Sequence, residues 1–177
     1  AIVQQRVAAL HFSGGIFSNI THDHLDYHKT FENYRDAKKR FFDTLGPDAF
    51  MITNLDDANG MVMAQNCKAK IKTYSLRSMA DYRCTILESG FDGMMLKINN
   101  CDAFMRFVGR FNASNLLAVY GAAIMLGVEP MQALTVMSAL TPVSGRFETI
   151  QFKKGFTAIV DYAHTPDAIV NVLSTIR

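Results

Sequence analysis

Between Asn19 and Phe42 the chain reads Asn-Ile-Thr-His-Asp-His-Leu-Asp-Tyr-His-Lys-Thr-Phe-Glu-Asn-Tyr-Arg-Asp-Ala-Lys-Lys-Arg-Phe-Phe, with three His and two Asp inside seven residues. That polar loop is where chemistry is expected. Thr30 is placed to cap a following helix whose apolar stripe is Phe31, Tyr34, Phe41 and Phe42, spaced by threes and fours along one face. Lys38 falls in the stripe, four after Tyr34 and four before Phe42, whereas Arg35, Asp36, Lys39 and Arg40 fall largely outside it. An ammonium directed inward must pair, lie along the surface with its head in water, or lose its proton. A neutral amine can capture carbon dioxide, and the resulting carbamate is a carboxylate on a long stem. Beside His and Asp it would complete an oxygen and nitrogen site suited to Mg²⁺. A snorkelling or salt-bridged Lys38 stands as the alternative.

The loop needs a rigid base. Residues 14–20 read as a buried strand emptying into it, and residues 7–12 as a short strand before that, with Gln4 and Arg6 at the alternate spacing of one strand face. Residues 49–54 read as the next strand, ending in Asn54-Leu55-Asp56-Asp57; Asp56 or Asp57 is expected to cap a helix over residues 58–65. A strand at 71–74 follows, and the alternation of strand and helix predicts an α/β fold with a largely parallel sheet flanked by helices. Runs at 82–88, 94–99 and 103–108 predict a small antiparallel insert. Residues 110–127 predict an apolar helix closed by Gly127, with Asn112 as its cap and Asn115 in its first turn offering a free amide, a donor and acceptor pair suited to the edge of adenine. Pro130 opens a second helix over residues 131–140. Thr141-Pro142-Val143-Ser144-Gly145 marks a domain boundary, dividing residues 1–144 from 145–177. Beyond it come strands from Arg146 and from Ala158, the second running into Asp161-Tyr162-Ala163-His164-Thr165-Pro166-Asp167-Ala168, where Asp167 reads as a helix cap and Arg146 as a salt-bridged linker residue.

Several function classes are excluded or weakened. A net charge of +2 from 18 basic and 16 acidic residues gives no electrostatic footprint for nucleic acid. Cys67, Cys84 and Cys101 form no Cys-x-x-Cys pair, so reduced thiols and a cytoplasmic location are expected. No apolar run approaches the ~20 residues of a membrane span. Lacking an initiator Met and opening on a strand-like segment, the chain reads as an excised piece. A dizinc hydrolase of the metallo-β-lactamase type would use His22, His24 and Asp26, but Tyr27 stands where its next His belongs, and only His164 lies downstream where two more are needed. A non-catalytic nucleotide-binding module is the remaining alternative.

The strand ending Ser-Asn-Ile-Thr, then Asp-His-Leu-Asp-Tyr-His, then Tyr-Arg-Asp-Ala-Lys resembles the central domain of the Mur ligases, the ATP-dependent amide ligases of peptidoglycan precursor synthesis. The resemblance extends to Phe111-Asn112-Ala113-Ser114-Asn115 and to Pro142-x-x-Gly-Arg-x-Glu followed by Val-Asp-Tyr-Ala-His-Thr-Pro-Asp-Ala. It implies a P-loop-type ATP-binding central domain lacking its N-terminal part, and the start of a second, Rossmann-like α/β domain. It implies a carbamylated Lys38 and a magnesium-holding His24, Asn112 and Asn115 at the nucleotide base, Arg146 and Asp161 near the ribose, and His164 near the phosphates. Within the branch that adds the third peptide residue, it makes Gln4 and Arg6 ligands of UDP-N-acetylmuramoyl-L-alanyl-D-glutamate, and the co-substrate a diamino acid, diaminopimelate favoured over L-lysine. ATP and Mg²⁺ are the implied cofactors, and a monomer the implied state. The Gly-rich phosphate loop with its Lys and Thr is absent from these 177 residues, so the resemblance implies no catalysis by them alone.

Overall fold

A computed structural model describes residues 2–7, 9–21, 28–152 and 155–176. Its centre is β2 (Phe50–Asn54), buried at every residue, as befits a parallel strand covered on both faces. β1 (Gly14–Phe17) lies parallel on one side of it and β3 (Lys70–Ser75) on the other, in the registers Gly14 with Phe50 and Phe50 with Lys70. β4 (Tyr82–Gly90) joins β3 in parallel, but only through Tyr74 with Tyr82 and Ser75 with Arg83. It then turns into an antiparallel meander with β5 (Gly93–Ile98) and β6 (Cys101–Met105). The expected antiparallel insert is thus continuous with the parallel strands in one six-stranded sheet.

Because successive strand residues face opposite sides, β2 feeds two cores. Met51 joins Phe17, Ile20, Tyr34, Phe42, Leu45 and Met63, under α1 (Phe31–Asp43) and α2 (Gly60–Ala64). Ile52 joins Tyr74, Tyr82, Leu96, Leu117 and Leu134, under α3 (Arg110–Met125) and α4 (Pro130–Ala139). Residues 148–176 form a separate hairpin of β7 (Glu148–Gln151) and β8 (Thr157–Val160), antiparallel to each other, followed by α5 (Pro166–Ile176). All three cysteines are free.

Local chemistry explains where the elements depart from expectation. Thr30 caps α1 as anticipated, accepting from the Asn33 amide. Residues 7–12 form no strand among the described residues; turns occupy this region, with Gln5 N–H donating to Ile2 and Leu10 N–H to Val7. A strand needs a ladder partner, and this segment pairs with no described strand. Neither Asp56 nor Asp57 caps α2, whose first turn follows Asn59 without a side-chain cap. Both carboxylates instead hold neighbouring strand ends: Asp56 accepts from Ser75 Oγ at 2.6 Å and Leu76 N–H at 2.7 Å, and Asp57 from Ile20 N–H at 3.0 Å. Asn112 is not the cap of α3 either. Gly109, at φ 95°, holds that position, a conformation that suits a residue without Cβ, and the Asn112 amide donates back to Val108 O at 2.8 Å. β6 begins at Cys101 because Asn99, at φ 51°, tolerates the left-handed region and closes a two-residue hairpin. β7 begins at Glu148, after Phe147 at φ 47°. Thr165, not Asp167, takes the capping place of α5, its Oγ accepting from Ala168 N–H and its carbonyl from Ile169 N–H.

Asp81 fastens β3 at the turn into β4. Its carboxylate accepts from Lys72 Nζ at 2.6 Å, Thr73 N–H at 2.9 Å and Thr73 Oγ at 2.8 Å. Partial burial works against the charged form, but the hydrogen bonds from Lys72 and Thr73 together hold the carboxyl below its ordinary range. A depressed native value means that this stability is fully present above the unfolded-state value of about 3.9 and is lost as pH falls through the native value. Asp81→Asn should therefore lower the melting temperature at neutral pH and show a narrower gap to the parent at about pH 3, below the unfolded-state value. Melts at both pH values check this; an equal deficit at both would assign the loss to shape rather than charge.

Candidate functional site

The carboxyl ends of β1, β2 and β3 carry a knot of polar contacts. Asn54 donates from its amide to Ser18 O at 2.7 Å and accepts from Asp56 N–H at 2.9 Å. Above this edge a cavity of about 700 Å³ opens between the end of β1, the first turn of α3 and the loop leading into α5. Strand ends of an open α/β sheet are where ligands bind.

Five of the residues singled out from sequence line this cavity together: Asn112, Asn115, Arg146, Asp161 and His164. They come from segments separated by more than thirty residues of chain and the Gly145 turn. Asn112 has spent one amide proton on Val108 O, while Asn115 is exposed and its amide makes no hydrogen bond among the described residues. Arg146 makes no ion pair there, contrary to the salt-bridged linker reading; its guanidinium lies 5.4 Å from the centre of the Tyr162 ring, where a π face attracts a cation. Asp161 accepts from Phe147 N–H at 2.8 Å and Ala163 N–H at 2.7 Å, which supports the left-handed Phe147 from behind. His164 Nδ1 lies 3.0 Å from Tyr162 O. A carbonyl only accepts, so Nδ1 is the donor in this contact and Nε2 is left for the cavity.

Other expected residues lie elsewhere. Gln4 and Arg6 are exposed in the turns before β1 and do not line this cavity. A second cavity, about 900 Å³ at the amino ends of β1 and β2, takes Gln5 rather than Gln4. Lys38 is half-buried, makes no ion pair among the described residues and holds Nζ 4.8 Å from the centre of the Tyr34 ring. The His28 ring is 5.1 Å from that same ring, so His28, Tyr34 and Lys38 line up along one side of α1. His22, His24 and Asp26 lie outside the described residues. Among the described residues no group of three or more His, Cys, Asp or Glu could hold a metal ion. The cavity also has walls that sequence reasoning passed over: Asn19, Thr21, Ser114, Tyr162 and Asn171. Ser114 was readable as the variable place between two flagged asparagines, and Asn171 lies one turn beyond Asp167 on α5.

The family model for the Mur ligase middle domain matches residues 1–123. The chain belongs to the Mur ligase family. A second family model, the glutamate ligase domain of Mur ligases, matches residues 145–177. Among curated Mur ligases, the chain is 60% identical over 177 residues to a UDP-N-acetylmuramoyl-L-alanyl-D-glutamate--2,6-diaminopimelate ligase of Phocaeicola vulgatus, covering 100% of this chain and 37% of the relative. It is 61% identical to the protein of the same name from Parabacteroides distasonis, again over all of this chain and 36% of the relative. A solved structure of a ligase with this name superposes with a TM-score of 0.80 at 32% identity, covering 99% of this chain and 37% of that one. A MurF structure from Acinetobacter baumannii superposes with a TM-score of 0.83 at 19% identity, covering 93% of this chain and 38% of its own, and shows the shared fold alone. The chain thus spans little more than a third of the length of these relatives. Membership in this family displaces the zinc-hydrolase reading of the His-rich loop. No described helix is long and apolar enough to cross a membrane.

Proposed function

We propose that this chain is the ATP-facing part of a ligase that joins a diamino acid, diaminopimelate in preference to L-lysine, to the D-glutamyl carboxylate of UDP-N-acetylmuramoyl-L-alanyl-D-glutamate. The observation that carries this reading is the single cavity lined by Asn112, Asn115, Arg146, Asp161 and His164. In such a reaction a carboxylate oxygen takes the γ-phosphoryl group of ATP, ADP leaves, and the amine nitrogen attacks the acyl carbon as phosphate departs. Phosphoryl transfer asks a protein chiefly for position and charge. Asn115 presents donor and acceptor together to the adenine edge. Asp161 keeps acceptor capacity for ribose hydroxyls, Arg146 supplies positive charge beside them, and His164 turns Nε2 toward the phosphates. Gln4 and Arg6 are assigned to the muramoyl substrate. The domain boundary is placed between residues 144 and 145, and the protein is read as a cytoplasmic monomer.

Magnesium belongs to this reading, with His24 and a carbamylated Lys38 as its proposed holders. A carbamate oxygen and an imidazole suit the ion chemically, and Lys38, without an ion pair, has its amine available for the modification. Bound there, the ion would neutralise phosphate charge.

The deciding experiment is phosphate release by the full-length ligase at fixed muramoyl dipeptide and ATP, with diaminopimelate, L-lysine or no amino acid. Release that depends on diaminopimelate is expected; release without any amino acid would sink the reading. Asn115→Ala should raise the KM for ATP about tenfold, the equivalent of one to two lost hydrogen bonds, and leave the KM for the muramoyl substrate unchanged. The reverse ordering would remove adenine recognition from α3.

A further inference from the structure

Tyr74 is fully buried, and its hydroxyl is the single buried side-chain polar atom without a hydrogen-bond partner among the described residues. Buried polar groups are otherwise satisfied in folded proteins, so this exception needs a reason. The residue is the next to last of β3, paired with Asn54 at the carboxyl end of β2. Burial opposes loss of its proton most strongly, the Ser114 side chain acts in the other direction, and the carboxylates of Asp56 and Asp57 add to the effect of burial, so the phenol is held up to about 12. It is therefore a neutral donor. The Ser114 hydroxyl lies close enough to act on the phenol as a hydrogen-bonding group, yet the contact falls short of full hydrogen-bond geometry and the Tyr74 hydroxyl has no well-formed partner. Ser114 is half-buried and lines the cavity between Asn112 and Asn115.

We propose that Tyr74 is a positioning residue for the nucleotide, donating its hydroxyl proton to Ser114 Oγ when the cavity is filled and so aiming the Ser114 hydroxyl at the ligand. This rests on the reading of the cavity as the ATP site. Ser114 then becomes a further ligand-contacting residue, and the orphan hydroxyl beneath it is a donor kept in reserve for the bound state. A phenylalanine would fill the same volume in the core between β3 and α3, so the hydroxyl serves binding rather than packing. Each hydrogen bond gained only in the complex shows as affinity.

The test compares the full-length parent with Tyr74→Phe, Ser114→Ala, the double variant and Ser114→Thr. Tyr74→Phe and Ser114→Ala should each raise the KM for ATP about three- to tenfold. The KM for the muramoyl substrate and kcat should not change, the double variant should be no worse than the worse single, and Ser114→Thr should retain parental affinity. The melting temperature of Tyr74→Phe should equal or exceed that of the parent, since no hydrogen bond is lost in the empty protein. An unchanged KM for ATP in Tyr74→Phe, or a double variant equal to the product of the singles, would overturn the pairing. If Asn115→Ala also left the ATP affinity untouched, the cavity reading itself would fall, and the pairing with it.

Discussion

Lys38→Ala in the full-length ligase should lose on the order of 10²- to 10³-fold in kcat, the scale on which preorganised charge-stabilising groups act, and recover part of that loss in added formate, acetate or chloride. The structural argument lies in what surrounds this lysine. Its stem runs along the Tyr34 side of α1, its ammonium lies against the Tyr34 ring, and no described carboxylate pairs with it. The Tyr34 ring is buried while Lys38 is half-buried, and a cation–π contact there is worth about 0.5–2 kcal/mol, so removal of the side chain should move the melting temperature by only a few degrees. Activity and stability should therefore separate. Small anions would refill the place of a carbamate, which is why rescue is the informative arm. Loss without rescue would remove the carbamate and leave the amine itself as a phosphate contact; full activity would make Lys38 a surface lysine of α1.

Gly60→Ala should be the most damaging small substitution in the described chain, at about 3 kcal/mol. A Cβ on this buried glycine would lie 1.9 Å from the Asn54 carbonyl oxygen and 2.9 Å from its carbon, and neither is the end of a flexible side chain. Either α2 or the turn after β2 must move. Movement of the turn strains the Thr53 hydroxyl bond to Gly60 O at 2.7 Å and the ties from Asn54 to Ser18 and from Asp57 to Ile20. Those ties hold the end of β1 beside Asn19 and Thr21 on the cavity wall. Urea unfolding should show a lower midpoint with an unchanged slope, together with a raised KM for ATP. A midpoint equal to the parent's would mean that the turn yields freely and does not brace the site.

Much of this architecture could be read from residue order because local and tertiary demands agree. Thr30, the stripe of α1 and the apolar Phe50-Met51-Ile52 opening of β2 each say the same thing at both levels. The five cavity residues were legible through their motifs, though spacing alone could not bring residues 112 and 164 together. The misreadings share a cause. Asp56, Asp57, Asn112 and Asp167 all stand next to helix starts, where short polar side chains favour caps, and all four lost that place to a neighbour. Asp56 and Asp57 were drawn off by the backbone amides of Leu76 and Ile20, just beyond the ends of β3 and β1, contacts 20 and 37 residues away in sequence. No local pattern reports those amides. The segment before β1 failed for the complementary reason: its alternation was visible, but a strand also requires a partner.

The seam between β3 and β4 is only two residue pairs long, too few for backbone hydrogen bonds to make the six strands behave as one plate. What bridges it is α3, which packs against both strands and brings Gly121 close enough that a Cβ there would lie 2.8 Å from the Tyr82 ring. The helix works as a splint laid across a hinged board. Its first two turns bear Asn112, Ser114 and Asn115, so the part of the molecule that faces the cavity is the same rigid body that keeps the parallel and antiparallel halves in plane. The ligand-facing turn cannot drift without shearing the seam, and a change in the meander is felt at the cavity through the helix rather than through the sheet.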